Sequence, residues 1–287
     1  MKPPKFDYAE PQDLPEALSI LGSDGEARPL AGGQSLVPML NFRLAAPSTL
    51  VGLRRIAVLG GIERRDGELR IGAMVTQGKA LASDEVRAAS PLLAAALARI
   101  GHPQIRSRGT VGGSIAHADP AAELPAALLA LDGSVTACGP HGTRTIAAHD
   151  LFAGVYTTSL RPGEIITEVR APAPPPRTGA ACIELTRRRG DFASAGAVCQ
   201  LSLDEEGGVR EARIALFAVA GLPLRARAVE EALTGRPAGS EAFAATAELV
   251  ADCLPDRSGG DEQARYRVSV LPVVVRRALA AAAEAVT

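Results

Sequence analysis

Tryptophan is absent from this 287-residue chain, and aromatic residues make up only 3% of it. So small an aromatic supply argues against the stacking platforms of single-strand nucleic-acid binders. An excess of either charge is also lacking: 31 basic and 32 acidic residues leave a net charge of −1. Neither nucleic acid nor an anionic membrane therefore has an electrostatic case as partner. Cysteine is sparse. Cys138, Cys182, Cys199 and Cys253 form no CxxC pair and no metal-like spacing. A disulfide framework or an iron–sulfur site is not expected, and a reducing cytoplasm fits. No stretch of about twenty apolar residues is free of charge, so no membrane span is expected. The opening Met1-Lys2-Pro3-Pro4-Lys5-Phe6 lacks the apolar segment of a signal peptide. GxGxxG followed by an acid, and GxxxxGKS/T, are both missing, which removes an ordinary NAD fold and a P-loop NTPase.

What is present is a chain that is 47% hydrophobic, enough to bury a sizeable core over roughly two domains. The opening reads as strand, helix, strand: a strand at Phe6–Tyr8, a helix from Asp13 as cap to Leu21, then Arg28–Ala31. Residues 36–43 read as a helix and Leu50–Leu53 as a buried strand. Asp66-Gly67 between Ile62–Arg65 and Glu68–Ile71 signals a hairpin. Thr76 is a candidate helix cap, and Leu92–Ile100 follows Pro91 with helical patterning. A helix beginning near Pro120 runs through Leu124–Leu131. Ser134–Cys138 and Thr143–Ala147 read as paired strands, with Ile165–Val169 a further one. Ala171-Pro172-Ala173-Pro174-Pro175-Pro176 is the clearest boundary, since such proline density favours extended chain. Beyond it come three strands, at Ala180–Thr186, Ala195–Leu203 and Val209–Ala218. Helices are then expected at Ala226–Thr234, Glu241–Leu254 and Gln263–Glu284. The expected divisions are 1–55, 56–171, a linker at 172–178, and an α+β domain at 179–287.

Two glycine-paired loops carry most of the chemical information: Ala31-Gly32-Gly33-Gln34-Ser35 and Thr110-Val111-Gly112-Gly113-Ser114. Glycine lets backbone amides approach a ligand closely, and amides ahead of a helix suit phosphate oxygens. Either loop alone reads more readily as a tight turn. Together, with hydroxyls at Ser35, Thr110 and Ser114, they suggest one diphosphate held from two sides. After the second loop, His117, Asp119 and Glu123 sit close in sequence. Asp119-Pro120 reads as a helix start with Asp119 as cap, alongside a binding reading. His102 reads as structural, His141 and His149 as solvated, and Arg187-Arg188-Arg189 as a solvated charge run. No residue is assigned as catalytic and none as a metal ligand.

At this point the residues resemble a family. Ala31–Leu36, Gly101-His102-Pro103-Gln104-Ile105-Arg106, Thr110–Ser114, Ala116–Pro125, Leu160–Pro172 and Gly190-Asp191-Phe192-Ala193 occur together and in order. They resemble the FAD-binding medium subunit of molybdenum hydroxylases. The branch is that of the carbon monoxide dehydrogenase medium subunit, with the flavin portion of xanthine dehydrogenases more distant. The resemblance implies an α+β chain: a two-subdomain FAD-binding fold of the vanillyl-alcohol-oxidase type, then a C-terminal α+β domain with a three-stranded sheet and helices. It implies non-covalent FAD, with the pyrophosphate held by Leu30, Ala31, Gly32, Gly33, Gln34, Ser35 and Leu36 on one side. Thr110, Gly112, Gly113 and Ser114 hold it on the other. Gly101, Ile105, His117 and Glu123 align with positions along the ribityl chain and flavin, and Ile166 and Phe192 with positions near the ring. Ser114 stands where many relatives have Asn, and Glu123 where the xanthine branch has Asp.

The implied function is electron transfer. A large subunit would carry the molybdenum cofactor and a small one two [2Fe–2S] clusters. This chain would pass electrons through FAD to an external acceptor, in a cytoplasmic dimer of heterotrimers whose membrane association, if any, comes through the complex. Two other readings stay open: a free-standing FAD-dependent oxidoreductase, and a non-enzymatic nucleotide-binding scaffold.

Overall fold

The computed structural model describes residues 1–255 and 262–286. The chain opens with β1 (Asp7–Ala9), α1 (Leu14–Ser23), β2 (Arg28–Leu30), α2 (Leu36–Asn41) and β3 (Thr49–Gly52). β3 lies between β1 and β2 and is parallel to both. Asp13 caps α1 as expected, its Oδ1 accepting from the Glu16 amide at 2.9 Å. Ala17, Leu21, Val51, Leu53, Ile56 and Leu59 form this unit's small core, joined by Ile165 from the next.

The second unit begins with the hairpin of β4 (Ile62–Arg65) and β5 (Glu68–Gly72). Asp66 and Gly67 both take positive φ, 55° and 77°, the turn whose twist matches its flanking strands. The helices follow: α3 (Gln77–Ala82), α4 (Asp84–Ala89), α5 (Pro91–Leu97), α6 (Pro103–Arg106), α7 (Val111–His117) and α8 (Glu123–Ala130). Next come β6 (Ser134–Gly139), β7 (Gly142–Ala147), a single turn α9 (Ala148–Leu151), the small hairpin β8 (Phe152–Gly154) and β9 (Thr157–Thr158), and β10 (Ile165–Pro172). The antiparallel sheet has the order β4-β5-β10-β6-β7. β10 is its centre yet ends in Pro172. That proline is tolerated because pairing with β6 stops at Arg170 opposite Ser134, leaving only β5 alongside.

The third unit is an antiparallel sheet of β11 (Thr178–Leu185), β12 (Ala195–Leu203), β13 (Val209–Phe217) and β14 (Leu224–Arg225). The two-residue β14 adds a fourth strand to the three expected. α10 (Arg227–Leu233), α11 (Ser240–Ala247) and α12 (Glu262–Glu284) pack on one face. The helix expected over Glu241–Leu254 stops at Ala247 and continues as 3₁₀ turns over Glu248–Cys253. On the other face Cys182, Val198, Ala215 and Phe217 join the core of the second unit. Burial from both sides is why β12 is apolar at nearly every position rather than alternating.

Polar anchors fix this unit against the end of α8. The Arg225 guanidinium donates to the Leu129 carbonyl at 3.1 Å and to Asp132 at 2.6 Å. Arg213 donates to the Leu131 carbonyl at 3.0 Å, and the Ala218 amide to the Pro120 carbonyl at 2.7 Å. The C-terminal unit is thereby held against the segment that follows the second glycine loop.

Candidate functional site

The two glycine loops, distant in sequence, touch. A Cβ added to Gly32 would lie 2.8 Å from the Gly109 Cα and collide with the Arg108 carbonyl oxygen. One added to Gly113 would lie 3.3 Å from the Ala31 Cβ and 2.6 Å from the Thr110 hydroxyl. The absent side chains are therefore what lets the loops meet. Beside the contact is a cavity of about 390 Å³, lined by Leu30, Ala31, Gly32, Gly33, Gln34, Val37, Pro38 and Arg108. Gly33 has φ +72°, a conformation that suits glycine.

The loops offer different chemistry. In the first, the amides of Gly32, Gly33, Gln34 and Ser35 make no hydrogen bond among the described residues, so they are open donors. In the second, the amides from Val111 to Ser114 are engaged, and the Thr110 amide alone has no hydrogen bond among the described residues. Val111 donates to the Val75 carbonyl at 2.9 Å and Gly112 to the Ala73 carbonyl at 3.0 Å. Gly113 donates to the Thr110 Oγ1 at 3.1 Å and Ser114 to the Thr110 carbonyl at 3.1 Å. A run of open amides, which two cradles would need in both loops, is thus present in the first loop alone. The second is pinned to the strand side by tertiary pairing that no local pattern announces. What it shows is close approach to the first loop, with a Ser114 hydroxyl that makes no hydrogen bond among the described residues.

Of the other expected residues, Leu36 opens α2 next to the first loop. Gly101 takes φ +41° and packs on the partly exposed Ile105 of α6. The Arg106 guanidinium holds that turn by donating to the carbonyls of Ile100 at 2.6 Å and Gly101 at 3.0 Å. His102 packs against the C-terminal unit: a Cβ at Gly190 would lie 2.8 Å from its Nδ1. The 186–194 loop of the C-terminal unit therefore rests on it. Phe192, in that loop, is 77% exposed. Ile166 is 4% exposed, inside the core of the second unit, and does not line the cavity.

His117 ends α7 and meets Tyr156, which the sequence did not single out, with ring centroids 5.0 Å apart. Burial holds the His117 imidazole below its ordinary pKa, with Asp119 partly offsetting. Tyr156 sits at φ +51° in the turn between β8 and β9. Glu123 is half-buried at the first residue of α8. Burial pushes its carboxyl up to about 8; its own backbone amide lowers it, and Glu184 and Asp119 raise it further. Glu184 is raised too, by burial, with Arg99 opposing, and its Oε2 is buried without a hydrogen-bond partner. Asp119 is not the cap of α8. Its Oδ1 accepts from the Ala121 amide at 2.8 Å and its carbonyl from Ala122 at 3.0 Å, so it closes a turn ahead of the helix, whose cap position is Ala122. Among the described residues no group of three or more His, Cys, Asp or Glu is placed to hold a metal ion, and no helix is long and apolar enough to cross a membrane.

Arg108, Val37 and Pro38 are cavity residues missed in the sequence. Arg108 had a usable signal, a cation just ahead of Gly109-Thr110, whereas the other two are visible only once α2 is seen to flank the cavity.

Residues 4–174 match the FAD binding domain in molybdopterin dehydrogenase. The chain belongs to this family. Residues 180–282 match the CO dehydrogenase flavoprotein C-terminal domain, so both parts of the chain carry the family's organisation. Among its relatives, the 6-hydroxypseudooxynicotine dehydrogenase complex subunit alpha of Paenarthrobacter nicotinovorans is 42% identical, over 98% of this chain and 96% of the relative. The carbon monoxide dehydrogenase medium chain of Hydrogenophaga pseudoflava is 40% identical, over 98% of each. Of solved structures, a carbon monoxide dehydrogenase from Hydrogenophaga pseudoflava aligns over 100% of both chains with a TM-score of 0.93 and 40% identity. Quinoline 2-oxidoreductase from Pseudomonas putida 86 aligns over 99% of both, also with a TM-score of 0.93, at 37% identity. The chain is accordingly an FAD-binding flavoprotein subunit of the molybdenum hydroxylase type, with molybdenum chemistry belonging to other subunits.

Proposed function

We propose that this chain is the medium subunit of a cytoplasmic heterotrimeric molybdenum hydroxylase, assembled as a dimer of heterotrimers. It takes electrons from a small [2Fe–2S] subunit and delivers them to an external acceptor. The observation that carries this reading is the contact between the glycine loops beside one cavity. A cradle that Cβ atoms would fill, next to unpaired amides, fits a diphosphate. When bound, FAD supplies redox chemistry that accepts electrons singly and releases them in pairs.

The chain's own residues hold and orient that group. Gly32, Gly33, Gln34 and Ser35 donate amides to the diphosphate, and Ser114 its hydroxyl. Gly101, Ile105, His117 and Glu123 face the ribityl and flavin half. A Glu123 carboxyl with a pKa of about 8 is mostly protonated at neutral pH, so it donates a hydrogen bond as well as accepting one. His117, held neutral by burial against Tyr156, does the same without adding charge. No side chain is needed as a general acid or base. Relatives are named for carbon monoxide, nicotine and caffeine, so substrate choice belongs to a partner's pocket.

Reconstitution of the purified full chain tests the reading. One FAD per chain, with visible flavin absorbance and release of the flavin on denaturation, is expected. A folded chain that stays colourless in excess FAD sinks it. Copurification with two partners, molybdenum and iron separates the subunit reading from a free-standing flavoprotein.

A further inference from the structure

The diphosphate reading leaves a charge unaccounted for. A diphosphate is anionic, and the first loop meets it with dipoles only: Leu30 to Val37 contains no Lys or Arg. The second loop has a single unbonded amide, that of the buried Thr110, and Thr110 to Ala116 contains no cation either. None of the residues lining the cavity is acidic, and one is basic, Arg108.

Arg108 is set apart from its neighbours. The Arg106 guanidinium is tied to the carbonyls of Ile100 and Gly101. The Arg108 guanidinium is exposed and makes no hydrogen bond or ion pair among the described residues. Its backbone is nevertheless fixed. The Arg108 amide donates to the Ile105 carbonyl at 3.2 Å, and its own carbonyl oxygen is the atom that packs on Gly32. A free, permanently charged fork therefore stands on a rigid base where the two loops meet. Guanidinium suits the oxygens of a phosphate because it donates two parallel hydrogen bonds.

We infer that Arg108 is the counter-charge for the FAD diphosphate and gives the site its preference for a dinucleotide over a flavin without phosphates. This rests on the FAD reading above. Arg108 binds and selects; it takes no part in electron transfer.

The test is a titration of the full apo chain with FAD, riboflavin and ADP, in wild type, Arg108→Gln and Arg108→Lys. The residue is exposed, so equal melting temperatures of the apo forms are expected. Arg108→Gln is expected to weaken FAD and ADP by about 10- to 100-fold, as for loss of a charge-assisted pair, and to leave riboflavin unchanged. Arg108→Lys should recover part of the loss. Wild-type FAD affinity should fall with added salt more steeply than that of Arg108→Gln. Unchanged FAD affinity in Arg108→Gln overturns the inference, and so does an equal loss for riboflavin. A wild-type chain that binds FAD while the variant matches it defeats this inference alone. A wild-type chain that takes neither FAD nor ADP defeats the FAD reading with it.

Discussion

Replacing Gly32 with alanine tests the loop contact with the smallest possible change. The new methyl carbon would stand 2.8 Å from the Gly109 Cα and nearer still to the Arg108 carbonyl oxygen. Carbon atoms in ordinary contact keep about 3.5–4.0 Å, so the shortfall is about 1 Å against backbone, which cannot rotate away. Gly32 does not have positive φ, so the residue itself tolerates alanine and the whole effect comes from separating the loops. Overpacking of this kind costs about 1–3 kcal/mol of stability. Moving the second loop and Arg108 away from the first should also weaken FAD by about 10- to 100-fold, the scale of losing a hydrogen bond to a charged group. Urea denaturation of the apo chain and FAD titration measure the two effects. Gly25→Ala is the control, since a Cβ there meets nothing within 4 Å, and it should be neutral in both assays. Wild-type FAD affinity in Gly32→Ala would refute the argument that the loops meet because glycine is there.

Three further outcomes follow from the same geometry. Gly33→Asp should abolish FAD binding, since it strains a residue at φ +72° and sets a carboxylate beside the diphosphate; retained binding in a titration would count against the site. The Glu123 carboxyl titrates at about 8 when folded against 4.5 ordinarily. Across that window the unfolded chain loses a proton the folded one keeps, so apo stability should fall as pH rises, by at most about 1.4 kcal/mol per unit, and level off above it. Glu123→Gln should flatten that slope in urea midpoints measured from pH 5 to 9, and an identical slope would remove Glu123 as its source. Arg225→Ala would take from the buried Glu230 carboxylate the guanidinium whose Nε meets it at 2.8 Å, leaving it the Ile214 amide at 2.6 Å and Arg227 at 3.4 Å, and break the anchors to Leu129 and Asp132. A loss of about 1.5–3 kcal/mol is expected, and a change in denaturation under about 0.5 kcal/mol, the scatter of an ordinary surface substitution, would contradict it.

Much of the fold was legible because its signals are local. Asp13 as a cap and Asp66-Gly67 as a turn depend on residues within one turn of chain. β14 was not legible: two residues form a strand only because β13 lies alongside and Arg225 is anchored to Asp132 and Glu230. Asp119 reads as a cap in the sequence because the same side chain that caps helices also closes turns. At the site, the glycine pairs were visible as motifs, but their division of labour was not. Whether an amide is open depends on what pairs with it, and Ala73 and Val75 reach the second loop only in the folded chain. Arg108 is visible in sequence only as a cation ahead of Gly109, since its setting exists only where the loops meet.

The central claim is that one ligand is gripped by both loops. Hydrogen–deuterium exchange of the full chain, with and without FAD, tests it most directly. The account predicts slower exchange on FAD binding in residues 31–36 and in residues 108–114 together. The open amides of the first loop should show the larger change, since those of Val111 to Ser114 in the second are already hydrogen-bonded. Protection confined to one loop, or to neither while FAD is bound, would contradict it.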